Sequence, residues 1–187
     1  MKKILIVGAG AMGAAFSIPL LDNGHSVALT EPYNFKLFQQ LNSKKKIHPS
    51  LNINLPKKLK INKFSSEILN RKWDLIVIAV SSIGIDLIGK NLSKVKIKSP
   101  ILVLTKGLKF DGRNLISMSS LLKKYNKNLN ISVLKGPCLA KELARKVKSF
   151  TVIANKNINT AKKIGKLIST NYYQTEFSRD VRGVEFI

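Results

Sequence analysis

The sequence predicts an α/β domain built on a doubly wound, mostly parallel sheet, and three observations carry that expectation. A short apolar run, Ile4-Leu5-Ile6-Val7, stops at Gly8, and Gly8-Ala9-Gly10-Ala11-Met12-Gly13 fills a G-x-G-x-x-G spacing before a segment that continues as a helix with one apolar face. Leu75-Ile76-Val77-Ile78-Ala79-Val80 is a continuous apolar run of the kind that forms a central parallel strand buried on both faces. Around these two, strand-like and helix-like patterns alternate along the whole chain.

Taken in order, the first helix should stop near Asn23-Gly24, where Gly serves as a C-terminal cap. A second strand is expected over 25–30 with Glu31 at its end, then a short helix over 35–41. Residues 43–60, with Pro49, Pro56 and many Asn and Lys, read as a long polar connection. A short strand over 58–61 and a helical turn or two over 65–70 lead into the apolar strand, which Ser81-Ser82 closes. Helices over 83–92, 115–125, 139–147 and 160–168 alternate with strands over 101–104, 131–134, 150–154 and 172–175. The sequence contains no internal repeat.

A chain of 187 residues that is 44% hydrophobic can bury one proper core. The run over 4–7 is too short for a signal core, and no apolar run reaches spanning length, so a cytoplasmic protein with no membrane partner is expected. The single cysteine, Cys138, allows no internal disulfide, in keeping with a reducing compartment. Lys and Arg number 33 against 10 Asp and Glu, a formal net charge of +23. Such a charge suits a polyanion binder. Yet the lysines are spread over the chain, Arg and stacking aromatics are few, and no nucleic-acid module is visible. A solvated basic surface accounts for them, and no specific nucleic-acid partner is expected.

The glycine turn reads in two ways: as a tight βα turn, or as a dinucleotide site. In the second, Gly8 makes the turn, Gly10 lets backbone approach a pyrophosphate, Gly13 lets the helix sit close on the strand, and the unpaired amides of the helix receive the phosphate charge. Glu31, about 20 residues on, stands where this fold holds the adenosine ribose hydroxyls. A carboxylate there repels a 2′-phosphate and favours NAD over NADP; the plain alternative is a surface glutamate before Pro32. Two strand exits share the sheet edge of the glycine turn. Lys106, within Thr105-Lys106-Gly107, can hold a phosphate or polarise a carbonyl oxygen. Gly136-Pro137-Cys138 brings backbone amides to the same edge. Cys138 has no histidine partner and no metal-ligand spacing, so it reads as a small packing residue rather than a nucleophile. His25 and His48 read as structural, and no metal is expected.

With these motifs in hand, the chain resembles the NAD(P)-dependent sn-glycerol-3-phosphate dehydrogenases, a family with a Rossmann-type cofactor-binding domain. The likeness rests on GAGAMG at the start, DLIVIAV over 74–80, LTKGL over 104–108, LKGPCLAKELA over 134–144 and RDVRGVE over 179–185. The GP-x-x-AKE element after TKG is far more specific than the glycine turn. The resemblance implies reversible hydride transfer between dihydroxyacetone phosphate and sn-glycerol 3-phosphate, with NAD as cofactor or NADP in its place. It implies that Lys106 touches substrate and cofactor, that Gly136 and Cys138 contact the substrate, and that the backbone of Ala140 and the turn at Ala11 and Met12 contact the cofactor. Cys138 stands where the family has serine, and a thiol is the poorer hydrogen-bond partner. The family's general acid/base lysine, and an Arg–Asn pair that holds the substrate phosphate in a helical domain, fall beyond Ile187.

The expectation is therefore a dinucleotide-binding domain over 1–178, the start of a linker helix over 179–187, and an absent carboxy-terminal helical domain. Such a chain binds dinucleotide and turns over little alone. Its partner is a small phosphorylated substrate, with a second copy of itself or a separate helical chain as protein partner. Two further readings stay open: a non-catalytic dinucleotide-binding module, and half of a split enzyme.

Overall fold

The glycine turn opens the fold. In the computed structural model, which describes residues 1–186, strand β1 (Lys3–Val7) runs into helix α1 (Ala11–Asp22) and returns as β2 (Ser26–Glu31). Helix α2 (Phe35–Leu41) and a small hairpin of β3 (Ile47–His48) and β4 (Ile53–Asn54) precede β5 (Lys60–Lys63). Helix α3 (Ser66–Asn70) leads to β6 (Leu75–Ile78), then a 3-10 turn at Ser82–Gly84 and helix α4 (Ile85–Ser93). Strand β7 (Ile101–Val103) is followed by a second hairpin, β8 (Leu108–Phe110) with β9 (Leu115–Ser117), and by α5 (Met118–Tyr125). The chain closes with β10 (Ile131–Lys135), α6 (Ala140–Ala144), β11 (Ser149–Ala154), α7 (Ile158–Ile168), β12 (Tyr173–Ser178) and α8 (Val181–Phe186).

Eight strands form one sheet in the order β12-β11-β10-β7-β6-β1-β2-β5. Strand β1 pairs in parallel with both β2 and β6, so the chain winds one way from β1 to β5 and the other way from β6 to β10. That reversal is the switch point at which open α/β sheets bind ligands, outside the carboxyl ends of the strands. Alternation along β1 divides the core: Ile4 and Ile6 face α1 and α7, whereas Leu5 and Val7 face α4 and α5. Both faces are apolar because helices cover both, which is why the strands read as unbroken apolar runs.

Several elements differ from the sequence reading. Helix α1 is buried from Gly13 through Leu20 rather than on one face, because α6 and α7 pack against it as well as the sheet. Residues 43–60 are not merely a polar connection: the β3–β4 hairpin sits there, and Leu51, Leu55 and Leu59 enter the core. The helix expected over 115–125 begins only at Met118, since residues 115–117 pair with 108–110 as a strand. The helix over 139–147 shrinks to Ala140–Ala144. A helix of about 7 Å cannot carry the chain back along a strand of about 16 Å. The chain therefore re-enters from the edge it left, and β11 lies antiparallel to β10. Parallel pairing resumes through α7 to β12. Helix α8 occupies most of the linker segment expected over 179–187, of which Ile187 lies outside the described residues.

Candidate functional site

At the end of β1 the backbone of Gly8 takes φ +108°, a conformation that L side chains rarely adopt. A Cβ on Gly8 would also lie 2.7 Å from the backbone of Ala79 and Val80. A Cβ on Gly13 would lie 1.9 Å from Gly8 O, so α1 rests directly on the turn. Gly10 is the opposite case, with nothing within 4 Å of where its Cβ would stand. It precedes α1 as N-cap with no side-chain cap, so the first amides of the helix open onto that clear space.

Side chains fix this turn from two sides. Glu31, at the end of β2, accepts from Ala9 N through Oε2 at 2.8 Å, while Oε1 accepts from Tyr33 N and Asn34 N at 2.9 and 3.1 Å. From the β3–β4 hairpin, the buried His48 donates through Nε2 to Ala9 O at 2.9 Å, and its Nδ1 accepts from Leu51 N at 3.3 Å. Both histidines fall outside any metal-binding cluster, none being present among the described residues. His48, which sequence reading left as merely structural, is thus part of the mount of the turn.

Two cavities lie along the carboxyl edge of the sheet and share Ala79 and Val80 as a common wall. One, of about 440 Å³, is bounded by Gly8, Gly10, Glu31, Tyr33 and Ser81. The other, of about 270 Å³, is bounded by Met12, Lys106, Gly136, Cys138, Ala140 and Tyr173 among others. A third, of about 500 Å³, adjoins it through Lys106, Lys135 and Gly136 and is closed by Glu185 and Phe186 of α8. Of the residues singled out from sequence, Gly8, Gly10 and Glu31 meet at the first cavity, and Met12, Lys106, Gly136, Cys138 and Ala140 at the second. Ala11 is the first residue of α1, and Gly13 lies buried beneath the turn.

The exit of β7 is tied on both sides. Thr105 Oγ1 donates to Val80 O at 2.8 Å, and Thr105 O accepts from Lys135 Nζ at 2.8 Å. Lys106 thus leaves a fixed backbone, with its own side chain exposed at the mouth of both cavities. Lys135 lines two of these cavities and is a residue that sequence reading did not single out. The signal was a lone cation at the end of an apolar strand, immediately before Gly136, hidden by the general abundance of lysine.

Cys138 is 5% exposed, and burial pushes its thiol above the ordinary cysteine range. The thiolate, which is the nucleophile, is therefore scarce at neutral pH. Alkylation of this single cysteine by iodoacetamide at pH 7.5 is expected to run at least about 10-fold slower in the folded chain than in urea. Equal rates would show an accessible, activated thiol.

The family model for the NAD-dependent glycerol-3-phosphate dehydrogenase N-terminus matches residues 3–161. The chain belongs to this dehydrogenase family. A glycerol-3-phosphate dehydrogenase [NAD(P)+] of Leptospira biflexa serovar Patoc is 32% identical over 189 residues, covering 98% of this chain and 55% of the relative. An NADP(+)-dependent glycerol-3-phosphate dehydrogenase of Archaeoglobus fulgidus is 26% identical, covering 97% and 55%. The chain spans about half the length of the curated relatives it matches. Among solved structures, the glycerol-3-phosphate dehydrogenase of Coxiella burnetii superposes with a TM-score of 0.87 at 22% identity, covering 98% of this chain and 56% of that one. A D-mandelate dehydrogenase with NADH also superposes, at TM-score 0.73 and 19% identity. The fold is thus shared more widely than the dehydrogenase family itself. No helix among the described residues is long and apolar enough to cross a membrane.

Proposed function

We propose that this chain is the dinucleotide-binding half of an NAD(P)-dependent glycerol-3-phosphate dehydrogenase, which interconverts dihydroxyacetone phosphate and sn-glycerol 3-phosphate. The observation that carries this reading is the clear space over Gly10, at the switch point, between two adjoining cavities. A pyrophosphate fits there against the free amides of α1. Gly8 and Glu31 would hold the adenosine end, and Met12, Lys106 and Ala140 the nicotinamide end. NAD supplies or takes the hydride when bound. The chain's own residues bind, orient and polarise: Glu31 Oε2, which accepts one hydrogen bond from Ala9 N, has a lone pair left for the ribose diol, and Lys106 donates to the substrate oxygen.

Hydride transfer also requires a group that moves a proton at that oxygen, a role that neither Glu31 nor Ala140 fills. The 187-residue chain is therefore expected to bind NADH, seen as enhanced nicotinamide fluorescence, and to prefer it to NADPH. It is expected to show no oxidation of NADH by dihydroxyacetone phosphate above background. Failure to bind NADH at millimolar concentration would remove the reading, and measurable turnover would show that these residues hold a complete catalytic site.

A further inference from the structure

His48 is 1% exposed, and both nitrogens of its ring are engaged. Nε2 donates to Ala9 O at 2.9 Å and Nδ1 accepts from Leu51 N at 3.3 Å, which fixes one tautomer. The β3–β4 hairpin delivers this ring to the glycine turn. His48 pairs with Ile53 across it, the His48 carbonyl accepts from Asn52 N at 2.8 Å, and Leu51 and Leu55 anchor it in the same apolar cluster as Ile4 and Ile6. A leucine at this place would need no partners, whereas a buried imidazole needs one for each nitrogen.

What the bond to Ala9 does follows from the planarity of the peptide. The carbonyl of Ala9 and the N–H of Gly10 belong to one trans unit and point in opposite directions. Holding Ala9 O inward on His48 therefore turns the Gly10 N–H outward. That N–H is taken up by neither a backbone carbonyl nor Glu31 among the described residues. Gly10 is exposed, and nothing stands within 4 Å of where its Cβ would lie. A free peptide N–H facing clear space beside the first amides of α1 has the chemistry to receive an anionic oxygen. Without a Cβ at Gly10 the plane can also turn at little steric cost, so its direction has to be imposed from outside.

We infer that His48 is a positioning residue for the dinucleotide. It acts without touching the ligand: through Ala9 O it sets the direction in which the Gly10 N–H meets a pyrophosphate oxygen. Glu31 holds the preceding peptide through Ala9 N, so loss of His48 frees the Ala9–Gly10 plane while the rest of the turn stays tied. The inference rests on the dinucleotide reading above and deepens it.

The test titrates NADH and ADP-ribose into the 187-residue chain by calorimetry and melts each variant without ligand. His48→Gln keeps an amide nitrogen within reach of Ala9 O and gives up the Leu51 bond. His48→Asn is too short for Ala9 O and keeps an acceptor near Leu51 N. His48→Leu keeps neither. His48→Gln is expected to bind both ligands within about threefold of wild type, and His48→Asn and His48→Leu at least about 10-fold more weakly. The factor should be the same for NADH and ADP-ribose, which share the diphosphate. Each variant has lost a buried bond and should melt below wild type. A residue that only supports the fold would weaken Gln and Asn variants alike, in step with their melting temperatures. If His48→Leu does not fold, the Gln and Asn variants make the comparison.

Wild-type affinity in His48→Asn, or a loss in His48→Gln as large as in His48→Asn, overturns the inference. A loss confined to NADH, with ADP-ribose unaffected, overturns it too, since the effect then lies at the nicotinamide. Each of these leaves the dinucleotide reading standing. Failure of the wild-type chain to bind either ligand removes that reading and the role of His48 with it.

Discussion

Gly10→Ala is expected to abolish measurable NADH binding while leaving the fold intact, and Gly13→Ala to damage both. The two glycines sit three residues apart and differ in what surrounds them. The Cβ of Gly10→Ala meets nothing within 4 Å, and its backbone already has φ −62°, which alanine adopts freely. Stability should therefore change by less than about 1 kcal/mol. The new methyl group instead occupies the space through which a pyrophosphate reaches the α1 amides, and affinity should fall by roughly 100-fold or more. At Gly13 the Cβ would stand 1.9 Å from a backbone oxygen, Gly8 O, which cannot rotate away. Helix α1 must lift off the turn, at a cost of about 3 kcal/mol. Thermal melts beside NADH titrations distinguish the cases. Wild-type affinity in Gly10→Ala would mean that no ligand passes over that residue.

Glu185→Ala should lower stability by about 3 kcal/mol and loosen α8 before the rest of the chain. The carboxylate is 5% exposed and bridges from α8 to the start of α5 through the Ser119 amide and hydroxyl. Its removal leaves both groups buried without an acceptor, and each unsatisfied group carries its full desolvation penalty. Glu185→Gln keeps one carbonyl for the amide and an NH₂ for the hydroxyl, so its loss should be about 1 kcal/mol. Hydrogen exchange of the α8 amides against the global melt checks the local part. A wild-type melt for Glu185→Ala would show that α8 is held by Val184 and its apolar neighbours alone.

The halves of the fold that sequence made legible are those in which burial and periodicity agree. Strands β1, β6 and β7 are apolar on both faces, and their length, with Gly8 or Ser81 at the exit, distinguishes them from helix. The β8–β9 hairpin was illegible for the converse reason: Leu108, Phe110 and Leu115 are all exposed, so no burial pattern marks a strand. Residues Leu115 and Ile116 then merge with the apolar spacing of α5 and pass for its first turn. Most of the lining of the candidate site was legible because glycines, a strand-end acid and the exit lysine fall at fixed distances from recognisable strands. His48 and Lys135 could not, since each acts through a partner more than 25 residues away, at Ala9 and Thr105. Their residue types, one histidine of two and one lysine among many, gave no hint of it.

The peptide of Ala9 is clamped at both ends, its N–H by Glu31 and its carbonyl by His48. A peptide so braced has less freedom to lose when a nucleotide docks. Little of the contact energy is then consumed in ordering the protein. Around a surface of formal charge +23, the approach of an anionic nucleotide is expected to slow as salt rises.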